Sequence, residues 1–256
     1  MSLVERAIDD HVMTITLIDE DHRNALSDEL MVELVEAIDE ANALENVRVV
    51  ILTNRGSVFC AGADLRERSS EHAPPIALGD LFVKIRNSPK VFVGRVAGHC
   101  VAGGVGLVAV LDISVASEGA TFGFSEVRVG VAPAIISVVC LPKMQFASAQ
   151  SAFLRGNRFG ADEAARIGLI TMCVSPDSLD STVHDIVNDL LAGEPRALAA
   201  AKELLSTVPT LVPESGFTWA TNLSSTLFAS DEAREGMSAF LEKRPASWVR
   251  HLPDSE

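Results

Sequence analysis

One of the two longest stretches of the sequence without a charged residue, 96–111, constrains the fold most, because such a glycine-rich apolar segment is best accommodated in a protein interior. It has 16 residues, four of them glycine, and is too short and too rich in glycine to be a membrane span. Residues 104–109 match the G-x-G-x-x-A pattern of dinucleotide-binding folds. That pattern directly follows a strand and opens a full helix, whereas the strand predicted over 91–96 ends eight residues before Gly104. We therefore do not expect a dinucleotide site.

The glycines of this stretch fit a different use. A helix that begins near Gly103 presents free N–H groups and the positive end of its dipole. Glycine also lets a substrate carbonyl approach the backbone, because it has no Cβ. The loop 60–63 could supply a second N–H, and two donors that converge on one oxygen form an oxyanion hole. The pattern equally permits these glycines to serve close helix packing, so both interpretations stay open.

Strands rich in β-branched residues alternate with helical patterns in the first half of the chain. The strands are predicted over 12–18, 47–53, 91–96 and 112–116. The near-continuous apolar run of the second strand indicates burial on both faces. A helix is predicted behind Ser27, a favoured N-cap residue. This alternation is typical of an α/β architecture.

Two other parts of the chain have a different pattern. Segment 66–75 is polar, ends in two prolines and predicts a mobile surface loop. Beyond residue 140 the patterns are helical, and Pro195 suits the first position of another helix. We therefore predict a core over residues 1–194, which holds the functional site, and a helical region over 195–256.

Charge and cysteine content exclude several classes of protein. The sequence has 35 acidic and 21 basic residues, a net charge of −14 that would repel a nucleic-acid backbone. Its four cysteines lie some forty residues apart and fit neither a zinc motif nor a disulfide framework. The first residues lack the basic and apolar regions of an export signal. We expect a cytoplasmic protein that binds neither nucleic acid nor membrane.

Several sequence blocks, taken together, resemble the signature of the crotonase (enoyl-CoA hydratase/isomerase) superfamily. They are R-N-A-L at 23–26, F-C-A-G-A-D at 59–64, A-G-x4-G-G-x2-L at 97–107, F-G-x2-E at 122–126, R-I-G-L-I at 166–170 and E-G-M-x2-F-x2-K-R at 235–244. Their order and spacing follow those of the family over essentially the whole chain. The resemblance implies an α/β superhelical spiral of ββα units, closed by C-terminal helices that build a trimer or a dimer of trimers. It also implies acyl-CoA thioesters as substrates.

The resemblance assigns roles to individual residues. It implies that the backbone N–H groups of Ala63 and Gly103 hold the thioester oxygen, and that Glu126 exchanges the proton at C2 through an enolate-like state. The phenylalanines and valine around Glu126 should raise its pKa by desolvation, which suits a proton shuttle. The residues expected at the coenzyme A moiety are Arg23, Ala25, Ala61, Asp64, Leu65 and Lys243. Because coenzyme A is part of the substrate, neither a separate cofactor nor a metal is expected.

One departure from the family pattern concerns the number of carboxylates. Crotonase hydratases usually carry two glutamates, and the first aligns with Gly106, which cannot act as a base. The glycine-rich segment after the second is also altered, at 132–137. Together with 125–130, these segments resemble a branch that contains methylglutaconyl-CoA hydratase-like enzymes. Fatty acid metabolism and branched-chain amino acid degradation are the settings this implies.

Three functions therefore remain open. A hydratase would add water across C2=C3 of an enoyl-CoA with Glu126 as its acid/base group, and the resemblance to the branch favours it. Either another group orients the water, or Glu126 alone activates it and returns the proton. An isomerase needs only one carboxylate, so the glycine at 106 favours it instead. An inactive CoA-thioester-binding paralogue would have no reason to retain Ala63, Gly103 and Glu126 together.

Other side chains near these blocks are interpreted as structural. Asp112 follows an apolar run and is predicted to be a buried, hydrogen-bonded acid. His99 could either face the acyl pocket or pack in the core. Cys60 is not predicted to be a nucleophile, because a catalytic thiolate needs a histidine or a positive neighbourhood.

Overall fold

The computed structural model describes residues 2–68 and 74–252. In this part of the chain ten strands are distributed over two sheets. They are β1 (Val4–Asp9), β2 (Val12–Leu17), β3 (Val49–Asn54), β4 (Val58–Cys60), β5 (Val91–Val96), β6 (His99–Val101), β7 (Ile113–Ser117), β8 (Thr121–Gly123), β9 (Arg158–Gly160) and β10 (Met172–Val174). The larger sheet has the order β1-β2-β3-β5-β7-β10, and the smaller has the order β4-β6-β8-β9.

Eleven helices of the described residues connect and cover the sheets. They are α1 (Asp28–Ala43), α2 (Leu65–Arg68), α3 (Leu78–Asn87), α4 (Gly103–Val110), α5 (Ala134–Cys140), α6 (Phe146–Arg155), α7 (Ala161–Arg166), α8 (Leu179–Ala192), α9 (Pro195–Thr207), α10 (Pro213–Phe228) and α11 (Asp231–Glu242). Short 3₁₀ turns cover Ser125–Val129, Pro176–Ser178 and Val208–Thr210.

Successive strand pairs divide between the two sheets. Of each pair β3/β4, β5/β6 and β7/β8, the first strand joins the larger sheet and the second joins the smaller. A helix follows each pair, and the strands of successive pairs run parallel within each sheet. The repeated unit is therefore ββα, and the spiral that the resemblance implied is confirmed.

Local sequence explains the elements that the sequence analysis placed. The Ser27 side chain accepts a hydrogen bond from the Leu30 N–H and caps α1. The strand over 91–96 is confirmed with its bounds unchanged. Helix α9 begins at Pro195, whose fixed φ and missing N–H suit that position.

Other elements differ from the prediction. The predicted loop 66–75 begins inside the short helix α2, so its first part is wrong, while 69–73 lie outside the described residues. The prediction that only helices follow residue 140 is also wrong, because β9 and β10 lie there. Strands of three residues are too short to show an alternating pattern, which is why these escaped detection.

The larger sheet is buried on both faces. One face packs on α8, where Val49, Val93 and Val115 lie in one apolar cluster with Val183 and Val187. The other face joins the main core, which includes α1, α3 and α4. The two-sided burial predicted for the strand over 47–53, which is observed as β3, is therefore confirmed.

An ion pair between a buried lysine and a half-buried aspartate attaches helix α9 to this core. Lys202 on α9 lies 2.8 Å from Asp112, and its Nζ also donates to the carbonyls of Ile85 and Lys90. Asp112 accepts a further hydrogen bond from the Phe92 N–H at 2.8 Å. Asp112 is thus hydrogen-bonded, as predicted, but it is half-buried rather than buried, because 23% of its side chain is exposed.

Helices α10 and α11 are attached far less extensively. Each has one buried residue, Gly216 and Ala239 respectively. Their exposed large apolar side chains include Phe217, Phe228, Phe240 and Leu241, which are 68–82% exposed. Among the described helices, none is both long and apolar enough to span a membrane.

Candidate active site

Three neighbouring strands of the smaller sheet, β4, β6 and β8, are parallel and end at one edge. Ala63 follows the end of β4, Gly103 follows β6, and Glu126 follows β8. The carboxyl ends of parallel strands are the usual place for a site in α/β proteins. The fold thus brings the three predicted catalytic residues to the same sheet edge.

The loop 61–63 packs against the amino end of α4. Gly62 has a φ of +86°, a conformation that favours glycine. A Cβ placed on Gly62 would lie only 2.9 Å from the backbone nitrogen of Gly103. Among the described residues, neither the Ala63 N–H nor the Gly103 N–H donates a hydrogen bond to a protein acceptor. Two adjacent unpaired N–H groups are the arrangement that an oxyanion hole requires.

Ala102 makes the sharp turn between β6 and α4. It has a φ of +50°, which is unfavourable for a residue with a Cβ. Its N–H donates to the Gly123 carbonyl at 2.9 Å, and its carbonyl accepts from the Val105 N–H at 2.9 Å. These bonds on both sides hold the strained residue, and they fix the amino end of α4 beside the end of β8.

The glycines of α4 have two separate uses. A Cβ on Gly104 would lie 2.2 Å from the carbonyl oxygen of Cys60, so glycine is required there for close packing. A Cβ on Gly103 would meet no described atom closer than 3.3 Å, at Leu26. The two interpretations left open by the sequence therefore apply to different glycines: packing at Gly104 and access to the N–H at Gly103.

Glu126 lies on the 3₁₀ turn Ser125–Val129 and is half-buried. Its Oε2 atom is buried and accepts no hydrogen bond from any described residue. Burial raises the pKa of Glu126, and a hydrogen bond from its own backbone N–H only partly offsets the effect. Burial also raises the pKa of the Cys140 thiol on α5, and the nearby Glu126 carboxylate adds to that increase. The raised pKa expected for Glu126 is therefore confirmed.

The segment 23–26 runs beside the loop that follows β4. The Arg23 carbonyl accepts a hydrogen bond from the Ala61 N–H at 3.1 Å, and the Leu26 N–H donates to the Gly62 carbonyl at 2.8 Å. Ala25, which lies between them, is buried, whereas Arg23 is exposed. The structure thus places Arg23, Ala25 and Ala61 next to the two unpaired donors.

Asp64 and Leu65 continue the same loop into α2. The Asp64 carboxylate is buried and lies 2.5 Å from the Arg66 guanidinium, whose hydrogen bond holds the pKa of Asp64 below its ordinary value. Asp64 is therefore ionised and paired with Arg66, and its lowered pKa makes it a weaker base than an ordinary carboxylate. Leu65 is 62% exposed and lies at the rim of the site.

Lys243 is the predicted residue that the structure does not bring to this cluster. It ends α11 in a left-handed conformation, with a φ of +55°. Within the described chain, no hydrogen bond or ion pair joins α11 to segments 23–26 or 61–65. Its contact with coenzyme A stays a prediction.

The position aligned with the missing glutamate is filled by apolar side chains. A Cβ on Gly106 would lie 2.4 Å from Ile136 Cγ2 and 2.8 Å from Phe82 Cζ. Both of those side chains are buried. Sequence reasoning missed Ile136 and Phe82, and the one available signal was the altered segment 132–137, which contains Ile136.

Two further side chains that the sequence analysis considered, His99 and Cys60, have structural roles. His99 Nδ1 accepts the Thr121 N–H at 3.1 Å, so the ring ties β6 to β8. Cys60 is fully buried, and burial raises its pKa to about 12, which keeps the thiol protonated. In residues 2–68 and 74–252, no group of three or more histidine, cysteine or acidic side chains is arranged to hold a metal ion.

Comparisons with known proteins extend over the whole fold. The family model described as enoyl-CoA hydratase/isomerase matches residues 7–251. Enoyl-CoA hydratase EchA19 of Mycobacterium tuberculosis is 32% identical over 95% of this chain and 94% of its own. Mevalonyl-coenzyme A hydratase sidH of Aspergillus fumigatus is 31% identical over 93% and 91%, respectively. The crystal structure of an enoyl-CoA hydratase from Mycobacterium smegmatis superposes with a TM-score of 0.91 at 30% identity, over 97% of this chain and 99% of that one.

Proposed function

Because this chain belongs to the enoyl-CoA hydratase/isomerase family, we propose that it adds water across the C2=C3 double bond of an enoyl-CoA, with Glu126 as its acid/base group. One observation carries the proposal. Two unpaired N–H groups and a carboxylate with an unpaired, buried oxygen lie at the same edge of the smaller sheet. The hydratase names of the similar proteins from M. tuberculosis and A. fumigatus favour water addition.

The two N–H groups would polarise the substrate. The thioester oxygen accepts hydrogen bonds from Ala63 and Gly103, and it becomes negative as the enolate forms. Donors that are already in place stabilise this charge without reorganisation, and a single such donor typically accounts for about 10²–10³ in kcat. The positive end of the α4 dipole acts on the same oxygen.

Glu126 would carry the proton in both halves of the addition. Its carboxylate takes a proton from water while the water oxygen forms a bond to C3. The C2=C3 electron pair moves toward C1, and the thioester oxygen becomes the enolate oxygen. The protonated Glu126 then returns the same proton to C2, which gives the 3-hydroxyacyl-CoA and restores the carboxylate. The raised pKa of Glu126 strengthens it as a base for the first half.

Isomerisation is the second candidate, and the packing around Gly106 favours it. Ile136 and Phe82 fill the place of a second carboxylate, so only Glu126 aligns with a catalytic glutamate of the family. One carboxylate suffices to remove a proton from C2 of a 3-enoyl-CoA and return it to C4. The electron pair then moves from C3=C4 to C2=C3, and no water is consumed.

Binding of the coenzyme A moiety is assigned to the rim of the site. Arg23, Ala25, Ala61, Asp64 and Leu65 surround the loop that carries Ala63. Arg23 is exposed there, and Lys243 would add a second cation. Local cations are needed because the whole chain, with its net charge of −14, repels phosphates. Neither a metal nor a separate cofactor has a role in the proposed mechanism.

The proposal also covers the oligomeric state of the protein, its cellular compartment and the metabolism that supplies its substrates. The exposed apolar side chains of α10 and α11 would be covered by further copies of the chain, in a trimer or a dimer of trimers. The four cysteines are free thiols, which suits the reducing cytoplasm. Degradation of fatty acids or branched-chain amino acids would supply enoyl-CoA substrates there.

A substrate panel tests the function directly. The protein is incubated with crotonyl-CoA, a 3-enoyl-CoA and a branched glutaconyl-CoA, and the products are separated by liquid chromatography against authentic standards and identified by mass spectrometry. A hydratase adds one water to a 2-enoyl-CoA. An isomerase converts the 3-enoyl-CoA without a change of mass, and that product pattern alone would replace the proposal by the second candidate. If no member of the panel is converted, the chain is a binding paralogue and the proposal is wrong.

A further inference from the structure

The contact between α4 and α5 is too close for any side chain at position 106. Ile136 Cγ2 would lie 2.4 Å from a Cβ there, and Phe82 Cζ on α3 would lie 2.8 Å from it. Ile136 is 2% exposed and Phe82 is 4% exposed, so the two side chains fill this space completely. Three separate helices thus meet at the notch formed by Gly106, Ile136 and Phe82.

The notch lies next to the oxyanion donors. Gly106 follows Gly103 by three residues, so both lie on one side of α4, about 4.5 Å apart along its axis. Helical Cβ atoms point toward the amino end of their helix. The volume that a side chain at 106 would occupy is therefore directed back toward the Gly103 N–H. An acyl chain whose C1 oxygen binds that N–H reaches this volume within its next few carbons.

The notch is also close to Glu126, the proposed acid/base group. Ile136 and Cys140 are four residues apart and lie on the same buried face of α5. Cys140 lies near enough to Glu126 for the carboxylate to raise the pKa of its thiol further, beyond the effect of burial. The Ile136 side chain thus packs against α4 from a helix whose buried face also lies near Glu126.

We propose that Ile136 determines the acyl specificity of the site. Seated in the notch, it forms an apolar wall that limits the pocket to short acyl groups without a charge near C3 and C4. A carboxylated acyl group would place an unpaired charge against Ile136 and Phe82, which is strongly unfavourable. This inference rests on the proposed function and names its substrate class: short, uncharged 2-enoyl-CoA thioesters.

The test compares two neighbouring isoleucines. Ile136→Ala removes three carbons from the wall, whereas Ile135→Ala is a matched control, because Ile135 is on the same helix but 51% exposed. The ratio of kcat/KM for an eight-carbon to a four-carbon 2-enoyl-CoA is measured for each. We expect Ile136→Ala to raise the ratio by about 10-fold or more, since one methylene in such a pocket changes selectivity by 10–200-fold. Ile135→Ala should leave it unchanged.

A second measurement does not depend on turnover. The dissociation constants of butyryl-CoA and octanoyl-CoA are determined by calorimetry, and Ile136→Ala should selectively strengthen the binding of octanoyl-CoA. If Ile136→Ala does not fold, Ile136→Val removes one methyl group and should produce a smaller shift in the same direction. An unchanged ratio in the Ile136 variant, or an equal shift in Ile135→Ala, would overturn the inference. A wild-type chain that binds butyryl-CoA selectively but converts no substrate would overturn the proposed function and leave the wall intact.

Discussion

Helix α4 and the pair α10–α11 differ completely in burial, although all three carry apolar residues. All eight residues of α4 are buried, and none of them is charged. Helix α10 has 16 residues and α11 has 12, yet each buries only one. The chain itself covers α4 on every side, whereas it leaves large apolar side chains of α10 and α11 in solvent.

This difference in burial indicates different roles for the two regions, catalysis around α4 and association through α10 and α11. The surroundings of α4 hold the proposed donors and Glu126 in fixed positions, and a fixed geometry is what electrostatic catalysis needs. The α10–α11 surface leaves large apolar side chains in solvent, and exposed patches of this kind mark interaction sites. Substitutions around α4 should therefore change turnover, and substitutions on α11 should change assembly.

The largest effect is expected from Glu126→Gln, which tests the α4 side of the comparison. Loss of one acid/base group reduces kcat by about 10²–10⁴-fold, while butyryl-CoA affinity and the sedimentation coefficient should stay unchanged. The wild-type rate should fall as the pH drops through the raised pKa of Glu126, because only the ionised carboxylate accepts a proton. That acidic limb should lie above the ordinary value of 4.5 and be absent from the residual activity of the variant. Wild-type turnover by Glu126→Gln on every substrate would refute the mechanism.

Phe240→Asp tests the other side of the comparison. Phe240 is 82% exposed on α11, and removal of a large interface side chain costs about 2–4 kcal/mol when that side chain is an anchor. The association constant should fall by roughly 30–1,000-fold, as read by analytical ultracentrifugation at several concentrations. Ile8→Asp, at another exposed apolar side chain on β1, serves as the control and should leave assembly unchanged. A wild-type chain that sediments as a monomer at micromolar concentration would show that α11 does not form an interface between copies of the chain.

A glycine-to-alanine substitution on α4 and another on α10 should change the free energy of unfolding in opposite directions. A Cβ at Gly104 would lie 2.2 Å from the Cys60 carbonyl, whereas at Gly216 on α10 the nearest described atom is 3.9 Å away. Gly104→Ala should reduce the free energy of unfolding by about 1–3 kcal/mol through overpacking. Gly216→Ala should increase it by about 0.5–1 kcal/mol, because alanine favours a helix interior. Urea unfolding at one protein concentration measures both, and shifts of the same sign would contradict the contrast.

The smallest effect is expected from Cys60→Ser, which separates packing from chemistry beside α4. Burial raises the pKa of the Cys60 thiol to about 12, so it carries no charge near neutral pH. If it only packs, kcat should stay near the wild-type value. An acyl-enzyme attached at Cys60, detected by mass spectrometry of the intact protein, would show that the reaction class is wrong.

Local patterns predicted part of this architecture well. The Ser27 cap, the strand 91–96 and the helix that starts at Gly103 each depend on a few adjacent residues, and each is confirmed. The three-residue strands of the smaller sheet were not found, because their hydrogen bonds connect segments far apart in sequence. Their arrangement brings Ala63, Gly103 and Glu126 together, so only the family resemblance could place these residues at one site.

The wall beside Gly106 shows the same limit for side chains. Glycine at 106 and the altered segment 132–137 were both visible in the sequence. The sequence did not show that Ile136 of this segment fills the space beside Gly106, because the contact joins two helices whose residues lie thirty positions apart. Likewise, nothing local to Lys243 indicates that α11 stands away from the rest of the predicted site.

The ion pair between Lys202 and Asp112 has a consequence for the order in which a newly made chain matures. The ribosome adds Asp112 ninety residues before Lys202, so the carboxylate lacks its ion-pair partner on α9 until that helix has been synthesised and docked. Domains tend to fold from the amino end as they are produced. Helices α10 and α11 follow Lys202 in the chain, and they present their apolar surface only after its ammonium group has become available to the core. A nascent chain whose synthesis stops before residue 202 therefore offers nothing for another copy to bind through this surface.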